Sequence, residues 1–108
     1  MTLYLGIDIG GTKIAGGLVT SEGRVMLSDR RPTPPTGGAA ILEMALSLAQ
    51  SLLEAAPEPL SGIGIGTGGQ VDTERGAIVS ATDVLPGWAG TDVKTAFERF
   101  FGLPCSVD

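Results

Sequence analysis

Between residues 6 and 13 the chain reads Gly6-Ile-Asp8-Ile-Gly10-Gly11-Thr12-Lys13, placing a carboxylate, a hydroxyl, an ammonium and paired glycines within one short segment. Two glycines in a tight turn let successive backbone N–H groups converge on an anion, and Thr12 and Lys13 add a donor and a positive charge. Asp8, at the end of the apolar run before the turn, is placed to hold a phosphate-bound Mg2+, directly or through water. The string superficially resembles a Walker A loop with Lys and Thr exchanged. A Walker loop must open a helix whose N-terminus meets the phosphate, whereas Ile14 to Val19 reads as a strand. The P-loop is therefore rejected in favour of a phosphate-binding hairpin. A plain Gly-Gly turn with a solvated lysine is the alternative, and the company of Asp8 and Thr12 weighs against it.

A second glycine string, Gly64-Ile-Gly66-Thr-Gly68-Gly69, satisfies G-x-G-x-x-G. Its sequel, Gln70-Val-Asp72-Thr-Glu-Arg-Gly76, is turn-rich and cannot open the helix that a dinucleotide pyrophosphate needs, which weighs against nicotinamide binding. Small residues at a strand end still suit a polar, hydroxyl-rich ligand pressed against the backbone, and equally suit a tight turn that needs glycine.

Composition narrows the remaining chemistry. The chain has 108 residues, 12 Asp+Glu against 7 Lys+Arg, no His and one Cys, Cys105. Zinc centres, disulfide frameworks and Cys-His or Ser-His-Asp catalysis are thus absent from this sequence. The acidic balance, with a pI near 4.5, disfavours nucleic-acid phosphates as a partner. No basic-then-apolar leader precedes the first apolar segment and no continuous apolar run reaches the ~20 residues of a membrane span, so a cytoplasmic setting is expected.

The elements that must position these residues follow from periodicity. Leu3, Leu5, Ile7 and Ile9 alternate with Tyr4, Gly6 and Asp8, a strand over 2–9; two further strands follow over 14–19 and 24–28. Three strands this close form an antiparallel meander. The stretch Arg31 to Thr36, rich in proline, cannot join a central strand and reads as a connector. Apolar residues recur at three and four from Gly38 to Ala56, an amphipathic helix that Pro57 and Pro59 stop. A short strand over 62–66, a glycine loop over 66–70, a turn at 72–76 and a strand over 77–80 come next. A second helix begins after Thr91-Asp92, with Gly102 and Pro104 closing it, and Cys105-Ser-Val starts another strand. Trp88, Phe97, Phe100 and Phe101 read as core or packing residues, Cys105 as a buried strand residue, and Asp72 with Glu74 as a solvated turn. The order β-β-β-α-β-hairpin-α-β is that of an α/β, ribonuclease-H-like mixed sheet with flanking helices.

Asp8-Ile-Gly-Gly-Thr-Lys13, Gly64-x-Gly-Thr-Gly-Gly-Gln-Val-Asp72, Thr82-Asp-Val-Leu-Pro-Gly-Trp88 and Gly102-Leu-Pro-x-x-Val-Asp108 together resemble the ROK family of repressors, open reading frames and sugar kinases, over the whole chain and in order. The glycine loop and Ser80-Ala-Thr82 look most like the N-acetylmannosamine kinase branch, with bacterial glucokinases nearby. The resemblance implies an actin-like ATPase fold in two lobes, residues 1–108 being the N-terminal lobe, with ATP and a neutral hexose or N-acylhexosamine between the lobes and a homo-oligomeric full-length protein. It implies that Gly10, Gly11, Thr12 and Lys13 meet the ATP phosphates, that Asp8 lies at Mg2+, and that Gly69, Gln70 and Thr82 face the sugar. Gln70 stands where the kinase branch often has Arg, and Asp83 where many relatives have Asn; a turn-capping role for Asp83 is expected. In the family the strand of Cys105–Asp108 runs on into an Asn-Asp pair whose Asp is the general base, and a zinc-binding cluster follows; neither is in this sequence. A sugar-responsive repressor lacking its DNA-binding part, or a non-catalytic binding lobe, are the other expectations.

Overall fold

The computed structural model describes residues 2–82 and 84–108. Three strands open the chain, β1 (Leu3–Ile9), β2 (Lys13–Thr20) and β3 (Val25–Pro32), followed by α1 (Gly38–Ala55), β4 (Leu60–Thr67), the short β5 (Gln70–Asp72) and β6 (Ala77–Ser80), α2 (Val93–Phe101) and β7 (Cys105–Val107). Five strands form one sheet in the order β3-β2-β1-β4-β7, and β5 with β6 form a separate hairpin. The meander β1-β2-β3 is antiparallel, while β4 lies parallel to β1 and β7 parallel to β4. The parallel neighbours are reached through helical crossovers, as the spacing demands. The expected mixed α/β sheet with flanking helices is what the chain forms.

Alternation divides the sheet into two faces. Leu3, Leu5, Ile7 and Ile9 of β1 join Ile14, Leu18, Ile63, Ile65 and Val107 in one buried cluster. Onto it α1 lays Ile41, Ala45, Leu48, Ala49 and Leu52, and α2 adds Val93 and Phe97. By length and mean hydropathy, 18 residues at 1.2, α1 would suffice to cross a membrane; here its apolar stripe lies against the sheet, with Glu43 and Glu54 on other faces. Gly16 makes this approach close, since a Cβ there would stand 2.8 Å from both Ile7 Cδ1 and Leu52 Cδ1. The Asp92 carboxylate accepts from the Thr95 amide at 3.2 Å and so caps α2, which ends at Gly102 with φ of 66°.

The opposite face carries Tyr4, Gly6 and Asp8 of β1 beside Gly62, Gly64 and Gly66 of β4. Nothing lies within 4 Å of a Cβ built on Gly6 or Gly64, so this side of the sheet is open. Shallow clefts of about 480 Å3 and 350 Å3 run across it.

Several boundaries differ from the sequence expectation. β3 continues to Pro32 rather than ending at Ser28; it is an edge strand, where a residue without an N–H leaves no ladder bond unmade. β4 extends over both sides of its expected span, and Gln70 opens β5 instead of closing a glycine loop, because it pairs with Ser80 across the hairpin. Trp88 and Phe97 are fully buried and Cys105 is buried, as expected, but Phe100 is 58% exposed. In a helix of nine residues only one stripe meets the core, and Phe97 and Phe101 occupy it. Asp72 serves the expected turn: its carboxylate accepts from the amides of Glu74 and Arg75.

Candidate functional site

Residues 10–12 join β1 to β2 as a tight turn with no helix, so the hairpin reading of the glycine pair holds. The Gly10 amide donates to the Lys13 carbonyl at 3.0 Å and closes the turn. Thr33, just past the end of β3, fastens it from the side: its amide donates to the Thr12 carbonyl at 3.0 Å and its hydroxyl to the Gly10 carbonyl at 2.6 Å. Among the described residues the amides of Gly11 and Thr12 donate to no backbone carbonyl. Neither Gly10 nor Gly11 has a positive φ, so the turn is not the alternating right- and left-handed backbone of an anion nest, and the Gly11 and Thr12 amides are donors without a backbone partner among the described residues. The exposed Thr12 and Lys13 side chains flank them.

Asp8 lies on the open face near the end of β1, exposed, with Ala15 and Gly66 as its register neighbours on either side. A Cβ on Gly66 would come within 3.7 Å of the Asp8 Oδ1, so the glycine keeps the carboxylate clear. Among the described residues no group of three acidic, His or Cys side chains gathers to hold a metal ion. A single exposed carboxylate, with water and ligand oxygens completing the shell, is a donor set that Mg2+ takes, so Asp8 fits that ion. A zinc cluster does not fit this chain, which has no His.

The second set of residues stands at the same end of β1 and β4. The Gly68 amide donates to the Ile9 carbonyl at 3.0 Å, tying the turn after β4 to the end of β1. Gly69 has φ of 92°, and its α-carbon faces the Ser80 carbonyl and Ala81 so closely that a side chain has no room. The Gln70 carboxamide is exposed, its Oε1 accepting from the Ser80 hydroxyl at 3.2 Å. Thr82 is exposed, its hydroxyl accepting from the Val84 amide at 3.4 Å and its carbonyl from the Leu85 amide at 3.0 Å. Asp83 lies outside the described residues. Val84 leans over the Gly10–Lys13 hairpin, its side chain filling the space above Gly11. Trp88, fully buried, anchors this segment by donating from Nε1 to the Thr67 Oγ1 at 2.9 Å.

Thus Asp8, Gly10, Gly11, Thr12 and Lys13 form one cluster, and Gly69, Gln70 and Thr82 a second beside it, joined through Ile9–Gly68 and Gly11–Val84. Thr33, Thr67 and Val84 escaped the sequence reading. Thr67 and Val84 lie inside motifs the sequence offers, but no local pattern gives any of the three its role, because each acts through a partner at least 21 positions away.

Residues 4–108 match the model of the ROK family. A glucokinase of Streptomyces coelicolor is 34% identical over 108 residues, covering all of this chain and 32% of its own length. An N-acetyl-D-glucosamine kinase of Salmonella typhimurium is 38% identical over 79 residues, or 73% of this chain and 26% of its own. The crystal structure of a ROK family glucokinase from Streptomyces griseus, in complex with glucose and AMPPNP, superimposes with a TM-score of 0.86 at 33% identity over 98% of this chain and 32% of that one. A ROK family transcriptional regulator shares the fold at 17% identity, with a TM-score of 0.87 over 97% of this chain and 27% of its own. The chain spans about a third of the length of the glucokinases it matches. Its sheet and helices are those of the actin-like ATPase fold, and the chain belongs to the ROK family.

Proposed function

We propose that this chain carries the phosphate hairpin and part of the sugar site of an ATP-dependent sugar kinase, which transfers the γ-phosphoryl group to a hydroxyl of a neutral hexose or N-acylhexosamine. The observation that carries the reading is the meeting of the Gly10–Lys13 hairpin with the Asp8 carboxylate on the sheet and with Val84, at Gly11, from the Thr82–Trp88 segment. The kinase relatives and the glucokinase holding glucose and AMPPNP support it. The regulator's likeness is of fold, and nothing in the site favours a repressor over a kinase.

In this reading the Gly11 and Thr12 amides and the Lys13 ammonium hold donor phosphates, preorganised by the Thr33 bonds, and Asp8 ligates Mg2+. The ion, when bound, neutralises phosphate charge. Gly69 brings backbone against the sugar, while Gln70 and Thr82 offer neutral donors and acceptors. A carboxamide without charge suits a hydroxyl or an acyl carbonyl over a sugar acid or sugar phosphate. A cytoplasmic, reducing setting and a homo-oligomeric full-length protein belong to the same proposal.

The 108-residue chain by itself is expected to bind Mg2+-ATP weakly and to leave hexoses unphosphorylated. Its charged contacts are screened by water, and general-base assistance, worth ~10²–10⁴-fold, is supplied in the family by a residue after Asp108. The test joins residues 1–108 to the remaining two thirds of the Streptomyces coelicolor glucokinase and follows ADP release with glucose, N-acetylmannosamine and N-acetylglucosamine. Sugar-dependent ADP formation that falls at least a hundredfold in Asp8→Asn is expected. A hybrid that is active and indifferent to Asp8→Asn would overturn the assignment of Asp8, and turnover only of acidic or phosphorylated sugars that of Gln70.

A further inference from the structure

The β5–β6 hairpin holds Ser80 against the Gln70 side chain. The two residues are register partners, and between Gln70 and Val71 the pairing slips by one residue, passing over Val79. A bulge of this kind re-aims the side chains beside it. Gly69, with φ of 92°, brings its α-carbon so near the Ser80 carbonyl that a Cβ there would stand 2.5 Å from the oxygen. Backbone packing thus fixes Ser80 where its hydroxyl meets the Gln70 Oε1 at 3.2 Å.

A carboxamide has two unlike ends, an oxygen that accepts and a nitrogen with two N–H donors, and its last torsion is broad, so unheld it presents both. Here the oxygen end is taken. Among the described residues the Gln70 nitrogen has no acceptor, and the bond to Ser80 is the one hydrogen bond that either side chain makes. The Thr82 hydroxyl takes the Val84 amide on its oxygen at 3.4 Å and keeps its own proton to give. Gln70 and Thr82, both exposed, therefore leave donors for a ligand, while an acceptor oxygen of each is engaged within the protein.

We infer that Ser80 is a positioning residue for this site: by holding the Gln70 oxygen it leaves the amide N–H groups for the ligand, so that Gln70 reads an acceptor oxygen. An acyl carbonyl meets that demand with lone pairs alone, whereas a hydroxyl must leave its proton to another partner. This rests on the sugar-facing role proposed for Gln70 and adds the residue that decides which end of its carboxamide does the reading.

Gln50 and Gln70 are the only carboxamides in the chain, so their side-chain NH2 resonances can be told apart in the 15N-labelled 108-residue protein. The heteronuclear NOE of the Gln70 group should report order on the picosecond-to-nanosecond scale. In Ser80→Ala that group should become mobile, while Gln50, bonded to Glu54, stays as it was; Ser80→Thr keeps a hydroxyl and should restore the order. In the hybrid with the Streptomyces coelicolor glucokinase, Ser80→Ala should raise KM for N-acetylmannosamine about three- to tenfold, the worth of one neutral hydrogen bond. Its kcat and its KM for mannose should hold, and Ser80→Thr should recover the loss. An unchanged Gln70 NOE in Ser80→Ala, or KM values that rise equally for both sugars, would overturn the inference and leave the sugar role of Gln70 standing. So would a hybrid that turns over hexoses and refuses their N-acetyl derivatives. Indifference of every KM to Gln70→Ala, or a hybrid inactive on all sugars, would overturn the proposed role and the inference together. Ser80 is exposed, and unchanged circular dichroism of each variant separates lost positioning from lost folding.

Discussion

The side chain of Val84 occupies the place that a Cβ on Gly11 would take, with the Val84 carbonyl oxygen 3.1 Å from that point. A glycine in the hairpin between β1 and β2 is thereby fitted to a residue 73 positions on, and two clusters far apart in sequence are packed against one another. Gly11→Ala is expected to cost about 1 kcal/mol, the low end for overpacking, because Val84 is 65% exposed and can shift. In the double variant with Val84→Ala about half of that should return. Urea denaturation measures both, and equal losses in single and double variants would show the contact to be irrelevant.

Thr67 satisfies the buried indole of Trp88. Thr67→Val keeps the shape but strands the N–H, and should lower stability by about 1–3 kcal/mol. Thr67→Ser keeps the hydroxyl and should cost less than about 1 kcal/mol. Identical denaturation midpoints for the two variants would refute the hydrogen bond as a source of stability.

At the start of α2, Asp92 is the side-chain cap. Asp92→Ala should destabilise by about 1 kcal/mol and Asp92→Asn by much less, since the amide oxygen still accepts from Thr95. Thermal unfolding followed by circular dichroism ranks them, and a neutral Asp92→Ala would contradict the cap.

Burial, with the nearby Glu98 carboxylate adding to it and Lys94 opposing, pushes the Cys105 thiol up from 9.0 to about 11. At pH 8 its thiolate fraction is then on the order of one part in a thousand. Labelling of native protein by iodoacetamide at that pH should be far slower than in urea. The thiol favours its neutral form in the folded state, so between pH 9 and 11 the unfolded chain loses its proton first and stability falls as pH rises. Cys105→Ala should flatten that fall, and an unchanged pH profile would exclude the thiol as its cause.

The element order was legible because periodicity and punctuation agree with it throughout. Alternation from Leu3 to Ile9, the 3.6-residue stripe of α1, the cap at Asp92 and the stop at Gly102 are local signals, and local physics alone writes them. The hairpin of Gly10–Lys13 was legible for a similar reason: the residues from Ile14 to Val19 read as a strand, and that distinguishes the hairpin from a loop feeding a helix. Edges were less legible. β3 runs on to Pro32 because β2 offers it a ladder, and Gln70 joins a strand because Ser80 stands opposite; pairing depends on a partner that the local residues do not name.

The amino-acid sequence by itself determined which residue types are available for chemistry, the alternation that splits the sheet into a buried and an open face, and the places where helices begin and end. Only the tertiary structure decided which distant residues share a surface. Register across three strands sets Arg30 in line with Asp8, packing sets Val84 on Gly11, and the burial of Trp88 selects Thr67 as its partner. These relationships are set by strand pairing and close packing over 20 or more positions, and the energy that chooses them is shared among many contacts, so no single segment of the chain encodes them.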